Sequence, residues 1–129
     1  MQKPRFYTAV VEMATDLSAI GRGSVTLDNR PFILQRITHE ILSVDNEELY
    51  QDGNYLVSWR DDISTYCSTP APADSMFGSV RVGHPLPLPT PISFSGNRTI
   101  SFDVQNMISR IAYGPTFKVA FVLAGIEPD

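Results

Sequence analysis

Cysteine is nearly absent from this 129-residue chain, where Cys67 stands alone. A single thiol excludes an intrachain disulfide, so packing must hold the fold. Lysine is almost as scarce: Lys3 and Lys118 stand against eight arginines. Surfaces that stay bare use lysine freely, whereas contact surfaces favour arginine and avoid lysine. Either a compositional bias of the genome or extensive burial against partners accounts for the skew. Histidine occurs twice, as His39 and His84, without the spacings that metal sites use. No metal or cofactor is therefore expected. No window reaches the ~18 apolar residues of a membrane-spanning helix, and the first residues show no apolar signal core. The net charge is −4 and no basic cluster is present, which argues against broad nucleic-acid binding. The phosphate-binding glycine loop, the dinucleotide fingerprint and Gly-x-Ser-x-Gly are all missing.

What the chain does have is proline in a strict rhythm. Pro85, Pro87, Pro89 and Pro91 alternate with Leu86, Leu88 and Thr90. Each proline lacks a backbone N–H. In an extended strand, alternate N–H groups point to the same edge. One edge therefore loses its donors, while Leu86, Leu88 and Thr90 donate toward the other. Polyproline II repeats every three residues, so a period of two favours a strand. The expected element is an outer strand that accepts no further strand, or a stiff arm lying over a surface. Leu86 and Leu88 should face the core and the prolines should face outward.

The chain is 43% apolar and 19% charged, which suits a single domain over residues 1–129. Residues 1–6 form a candidate contact arm. Strand-like runs follow at intervals. Residues 6–13 are β-branched and aromatic, 16–23 read as a loop around Gly21 and Gly23, and 24–27 as a short strand. Pro31 opens a strand over 32–42. Residues 45–50 suit one helical turn, and 51–54 a tight turn. Tyr55, Val57 and Trp59 alternate cleanly, and 63–67 read as the partner strand. Pro70 and Pro72 belong to a loop. Asp74 is placed to cap a helical turn over 74–78, and 80–82 is a brief strand. Ser95-Gly-Asn97 and Tyr113-Gly-Pro115 mark turns. Residues 100–105 alternate, and 117–124 are apolar on both faces, which places that strand centrally and covered on two sides. About eight strands with little helix predict an all-β fold, an antiparallel β-sandwich or barrel. Long uneven loops favour a jelly roll.

Candidate chemistry is thin. His39 shares its parity with Ile37 and Ile41, which reads as a hydrogen-bonded structural histidine. His84 falls in a loop. Asp61 and Asp62 with Asp52 offer oxygen ligands for a cation, although adjacent carboxylates at a strand end are ordinarily solvated. Glu12, Glu40 and Asp103 are strand carboxylates that could pair as glycosidase acids do, or simply sit exposed. Cys67 reads as an inert thiol. Asn97-Arg-Thr99 matches a glycosylation acceptor, with a turn as the plain alternative. Trp59 with Tyr55 suggests either a sugar-stacking platform or core packing. No catalytic residue is assigned.

Three stretches then combine. Arg30-Pro-Phe-Ile-Leu-Gln-Arg-Ile-Thr-His-Glu-Ile41 opens a strand, and Asp52-Gly-Asn-Tyr-Leu-Val-Ser-Trp-Arg-Asp61 ends one in an Arg-Asp pair. After a proline-rich crossing, residues 94–104 and 117–125 give two strands closing on Leu-x-Gly-x-Glu. This order resembles the small jelly-roll auxiliary proteins of tailed bacteriophages, the decoration or minor capsid proteins that cement the head. The resemblance covers about two-thirds of the chain. It implies a virion protein, made in the host cytoplasm, that binds the major capsid protein and copies of itself as a trimer, without catalysis. The expected interface residues are Arg5, Phe6, Arg30, Arg98 and the prolines Pro85, Pro87, Pro89 and Pro91. Arg36, Arg60, Arg81 and Arg110 complete the pool of arginine anchors. Two other readings compete. One is a receptor- or carbohydrate-binding module of a head fibre or tail, using Trp59, Tyr55, Tyr113 and the Asp61-Asp62 pair. The other is a cupin-like enzyme.

Overall fold

The computed structural model describes residues 2–43, 54–67, 69–79, 83–109 and 113–128. In chain order the elements are β1 (Lys3–Ala14), β2 (Ile20–Thr26), β3 (Phe32–Leu42), β4 (Tyr55–Arg60), β5 (Ala71–Pro72) and the short helix α1 (Ala73–Phe77). Then come β6 (Gly78–Ser79), β7 (His84–Pro85), β8 (Pro87–Phe94), β9 (Thr99–Asn106) and β10 (Thr116–Glu127). Two four-stranded sheets form, in the orders β1-β10-β3-β8 and β2-β9-β4-β5. Every pairing between their strands is antiparallel. β6 and β7 make a separate two-stranded ribbon.

Without that ribbon, the pairing rule is simple. The first main strand pairs with the last, the second with the seventh, the third with the sixth and the fourth with the fifth. A long antiparallel hairpin wrapped onto itself gives this order, which is the jelly roll. The all-β sandwich expected from the strand rhythm is the fold observed.

Alternation explains where the core lies. In β1 the odd residues Ala9, Val11 and Met13 are buried, and the even ones face out. β4 buries Tyr55, Val57 and Trp59, while β9 buries Ile100, Phe102 and Val104. An aromatic stack sews the sheets together. Phe121 of the first sheet lies on Phe102 of the second, with ring centroids 4.2 Å apart and planes within 4°. Phe102 continues to Trp59 at 6.0 Å, and Trp59 stacks on Tyr66 at 4.4 Å. Buried Asn106 ties down the turn after β1 by donating from Nδ2 to the carbonyls of Thr15 and Asp16, at 3.2 and 3.0 Å.

Several expectations need correction. Gly21 and Gly23 lie inside β2, not in a loop. They are small because β1 crosses them: a Cβ on Gly23 would meet the Val10 carbonyl oxygen at 2.3 Å, and one on Gly21 would meet Met13 and Val11 side chains at 2.8 Å. Residues 63–67 are not the partner strand of β4. Asp61 folds them into a turn, leaving only a bridge between Arg60 and Thr65. The partner is β5, so Pro72 is a strand residue. Pro72, and not Asp74, occupies the helix cap, with no side-chain cap bond. β10 is central, as expected, but only its inner face is fully covered: Val122 and Ala124 are half-buried on the outer one. From Lys3 onward the candidate contact arm runs in β1 along β10. The expected elements at 45–50 and 80–82, and residues 51–53 of the expected turn, lie outside the described residues.

Candidate functional site

The proline run divides. Pro85 belongs to β7, opposite Gly78. The Leu86 N–H donates to the Phe77 carbonyl at 2.9 Å. From Pro87 the chain becomes β8, the edge strand of the first sheet, paired with β3 alone. Pro87, Pro89 and Pro91 are exposed, as the period of two requires. Leu88 packs against the core, but Leu86 is 44% exposed and does not face it. The cause is the hand-over between ribbon and sheet: Leu86 sits at the joint, bonded to Phe77 through its backbone.

Three expected arginines gather at one end of the sandwich. Arg5 reaches Asp28 and lies 3.7 Å from Glu127, whose Oε2 is also 3.6 Å from Arg30. Two turns meet there: the Asn97 N–H donates to the Asp28 carbonyl, and the Leu27 N–H to the Arg98 carbonyl, each at 2.8 Å. Asn97 holds φ 65°, so its turn is real. Phe6 lies apart, on the outer face of the first sheet and 65% exposed. Arg60 and Arg22 both pair with Asp103, at 2.7 and 3.1 Å, on the outer face of the second sheet. Arg81 and Arg110 lie outside the described residues.

His39 is a structural link. Its Nδ1 meets the Tyr55 hydroxyl, and its Nε2 lies 2.9 Å from both the Gly78 carbonyl and Asp74 Oδ1. An Nε2–H that donates to the Gly78 carbonyl leaves Nδ1 to accept from Tyr55. The histidine thus joins β3, β4 and the start of β6. His84 lies in β7 and not in a loop.

Asp61 closes its own turn. Its Oδ1 accepts from the N–H groups of Ile63 and Ser64 at 2.8 and 2.6 Å, and its Oδ2 from the Tyr66 hydroxyl at 2.7 Å. Burial alone would raise the Asp61 carboxyl, but those bonds outweigh it and hold it below the usual carboxylate range. Burial, then the bond to Asp61, pushes the Tyr66 hydroxyl up. Asp62 accepts from the Thr99 N–H at 3.1 Å. Asp52 lies outside the described residues. Among the described residues no group of three His, Cys, Asp or Glu side chains could hold a metal.

The carboxylates weighed as an acid–base pair separate. Glu12 and Glu40 lie on the outer face of the first sheet, and Asp103 on the opposite outer face of the sandwich. Trp59 and Tyr55 are 4% and 1% exposed, so they form core and not an open platform. Cys67 is half-buried, with its thiol 3.6 Å from the Met76 sulfur.

Two hollows were not legible from the sequence. One, of about 320 Å³, opens between α1 and β8 and is walled by Trp59, Tyr66, Met76, Leu88, Pro89 and Ile92. The other, of about 290 Å³, lies on the outer face of the first sheet between Gln35, Arg36, Pro87 and Ala124. Each is walled by segments far apart in the chain, which is a tertiary property. Against known proteins, no family model and no curated protein matches this chain.

Proposed function

We propose that this chain is a structural subunit of a bacteriophage virion, a decoration or minor capsid protein that binds the major capsid protein and performs no catalysis. The observation that carries the reading is the edge strand β8, which lays Pro87, Pro89 and Pro91 along the outside of a jelly roll. Proline fixes φ, so this surface is rigid before any partner arrives and loses little entropy on docking. Such a subunit binds many equivalent copies of a lattice, so modest contacts suffice through multiplicity. Several of its charged side chains serve the fold itself: Asp61 shapes a turn, and Asp103 and Glu127 each receive two arginines.

The test uses phage heads assembled without the chain. Added wild-type protein should bind them and raise their resistance to heat. A variant with Pro87, Pro89 and Pro91 all changed to Thr should stay folded and bind at least ~10-fold more weakly, as lost preorganisation implies. Heads that resist heat equally well with and without the chain would overturn the reading.

One observation favours a second reading, a ligand-binding module: the aromatic-walled hollow beside Trp59 and Tyr66. Thr90, exposed on its rim, can be changed to Trp to fill it. A glycan array that shows binding by the wild type and none by Thr90→Trp would support that alternative.

A further inference from the structure

The hollow between α1 and β8 has walls that are fastened on both sides. β8 carries residues 88–91 opposite the single Gln35 of β3, between the pairs Leu34–Ile92 and Arg36–Pro87. The extra length bends the strand, and Leu88, Pro89 and Thr90 from it form the outer wall. Pro87, Pro89 and Pro91 fix φ along the bend and stiffen it. The facing wall is α1, whose Ala73 and Phe77 are buried. The Phe77 carbonyl accepts from the Leu86 N–H, and the Gly78 carbonyl behind it from His39. The Tyr66 ring is held through the bond from its hydroxyl to Asp61. The backbone on both sides is therefore fixed, and a hollow of about 320 Å³ persists between them.

We infer that this hollow binds a small neutral molecule with an apolar body and a single hydroxyl group, an aromatic alcohol being the type. This rests on the ligand-site reading of the hollow and names a different class of ligand from a glycan. The lining sets the class. Among the described residues that line it none is charged, so an ionic ligand would lose hydration and gain no partner. Met76, Phe77, Leu88 and Ile92 make the walls apolar. Asp61 already takes the Tyr66 hydroxyl. The other side-chain hydroxyls are those of Ser75 and Thr90, both exposed at the mouth. A sugar would bury several hydroxyls with only these two side chains to receive them, and unmade hydrogen bonds are costly. Nor does Trp59 offer a stacking platform: it is 4% exposed and already stacks on Tyr66 at 4.4 Å and on Phe102 at 6.0 Å. Water finds few partners among such walls, so an apolar group displaces it favourably.

Size points the same way. About 320 Å³ stands at the low end of the ~300–1,000 Å³ of small-molecule sites, which suits a single ring with a short substituent. The Met76 side chain is unbranched and adaptable, and a thioether beside an aromatic ring is a favourable contact. The ring lies between Met76 and Leu88, and the hydroxyl reaches Ser75 or Thr90 at the mouth. Because the walls are fixed beforehand, binding orders little of the chain.

Benzyl alcohol is the probe. Trp59, the sole tryptophan, stands in the wall and reports binding through its fluorescence. Titration of the purified chain should saturate with a Kd on the order of 1 mM, within reach of so small a molecule. The urea midpoint should rise with added alcohol, because the folded chain binds it and the unfolded chain does not. Benzoate, the same ring with a charge, should bind at least ~10-fold more weakly, and glucose should not bind. Thr90→Phe and Ser75→Phe each place a ring in the mouth, one from β8 and one from α1, and keep Trp59 the sole tryptophan. Each should weaken binding at least ~10-fold without lowering the urea midpoint of the unliganded chain. If one of them fails to fold, the other carries the comparison. A folded wild type that does not saturate by about 20 mM, well above that Kd, would overturn the inference. So would benzoate binding as tightly, or folded mouth variants that bind like the wild type. A wild type that binds glycans and no alcohol overturns the class and leaves the ligand-site reading standing, whereas one that binds neither overturns both. No phage head is present in this measurement, so its failure leaves the capsid proposal to its own test.

Discussion

Replacing Phe102 with Ala removes the centre of the seam between the two sheets. Phe102 is fully buried, lying against Phe121 at 4.2 Å on one side and Trp59 at 6.0 Å on the other. Burial of an aromatic side chain removes at least ~150 Å² from water, worth ~4 kcal/mol at ~25 cal/mol per Å². Large-to-small changes of this kind cost ~3–5 kcal/mol because the cavity collapses only in part. A domain of this size is stable by roughly 5–15 kcal/mol, so one substitution consumes a large share. With an unfolding entropy of ~2.1 cal/mol/K per residue, a loss of ~4 kcal/mol lowers Tm by about 15 °C. Urea unfolding followed by circular dichroism measures the difference. Phe6→Ala is the control: its ring is 65% exposed and should cost under ~1 kcal/mol in the monomer. The control is read at a concentration low enough that no self-association adds to it. If Phe102→Ala costs less than ~1 kcal/mol, the two sheets do not close over this stack.

Asp61→Ala should lose the turn after β4, at about 1–2 kcal/mol, because the N–H groups of Ile63 and Ser64 lose their acceptor. The folded carboxyl lies below its unfolded value, so its stabilisation is present above the unfolded pKa, near ~4, and disappears as pH falls through the folded one. Wild type should therefore lose stability toward pH 2 by a margin that Asp61→Asn does not share, and equal acid losses in both would refute the assignment. Gly23→Ala should cost about 2 kcal/mol or more in urea midpoint, since its Cβ would sit 2.3 Å from a backbone oxygen of β1. A neutral result would mean that β1 and β2 do not cross closely.

Much of the fold was legible where alternation was unbroken. β3, opened by Pro31, and β4 coincide with the runs read from Ile, Thr and aromatic spacing. The structural role of His39 followed from its parity with Ile37 and Ile41. What failed was reading meaning that another strand supplies. Gly21 and Gly23 signal a loop in isolation, yet they are the smallest residues that allow β1 to pass. The two apolar faces of β10 implied two covering layers, whereas the fold supplies one. Leu86 shares its parity with Leu88, but the ribbon of β6 and β7 interrupts the strand between them. The expected interface residues split for the same reason: Arg5 and Arg30 meet at Glu127, and the Arg98 backbone joins the adjoining turn, only because distant segments converge there, while Phe6 faces another way.

The virion role is tested most directly by a census of purified particles. Quantitative mass spectrometry of density-purified phage should find this chain in a fixed integer ratio to the major capsid protein. Its absence from particles of full infectivity, with the chain left in the soluble lysate, would contradict the proposal.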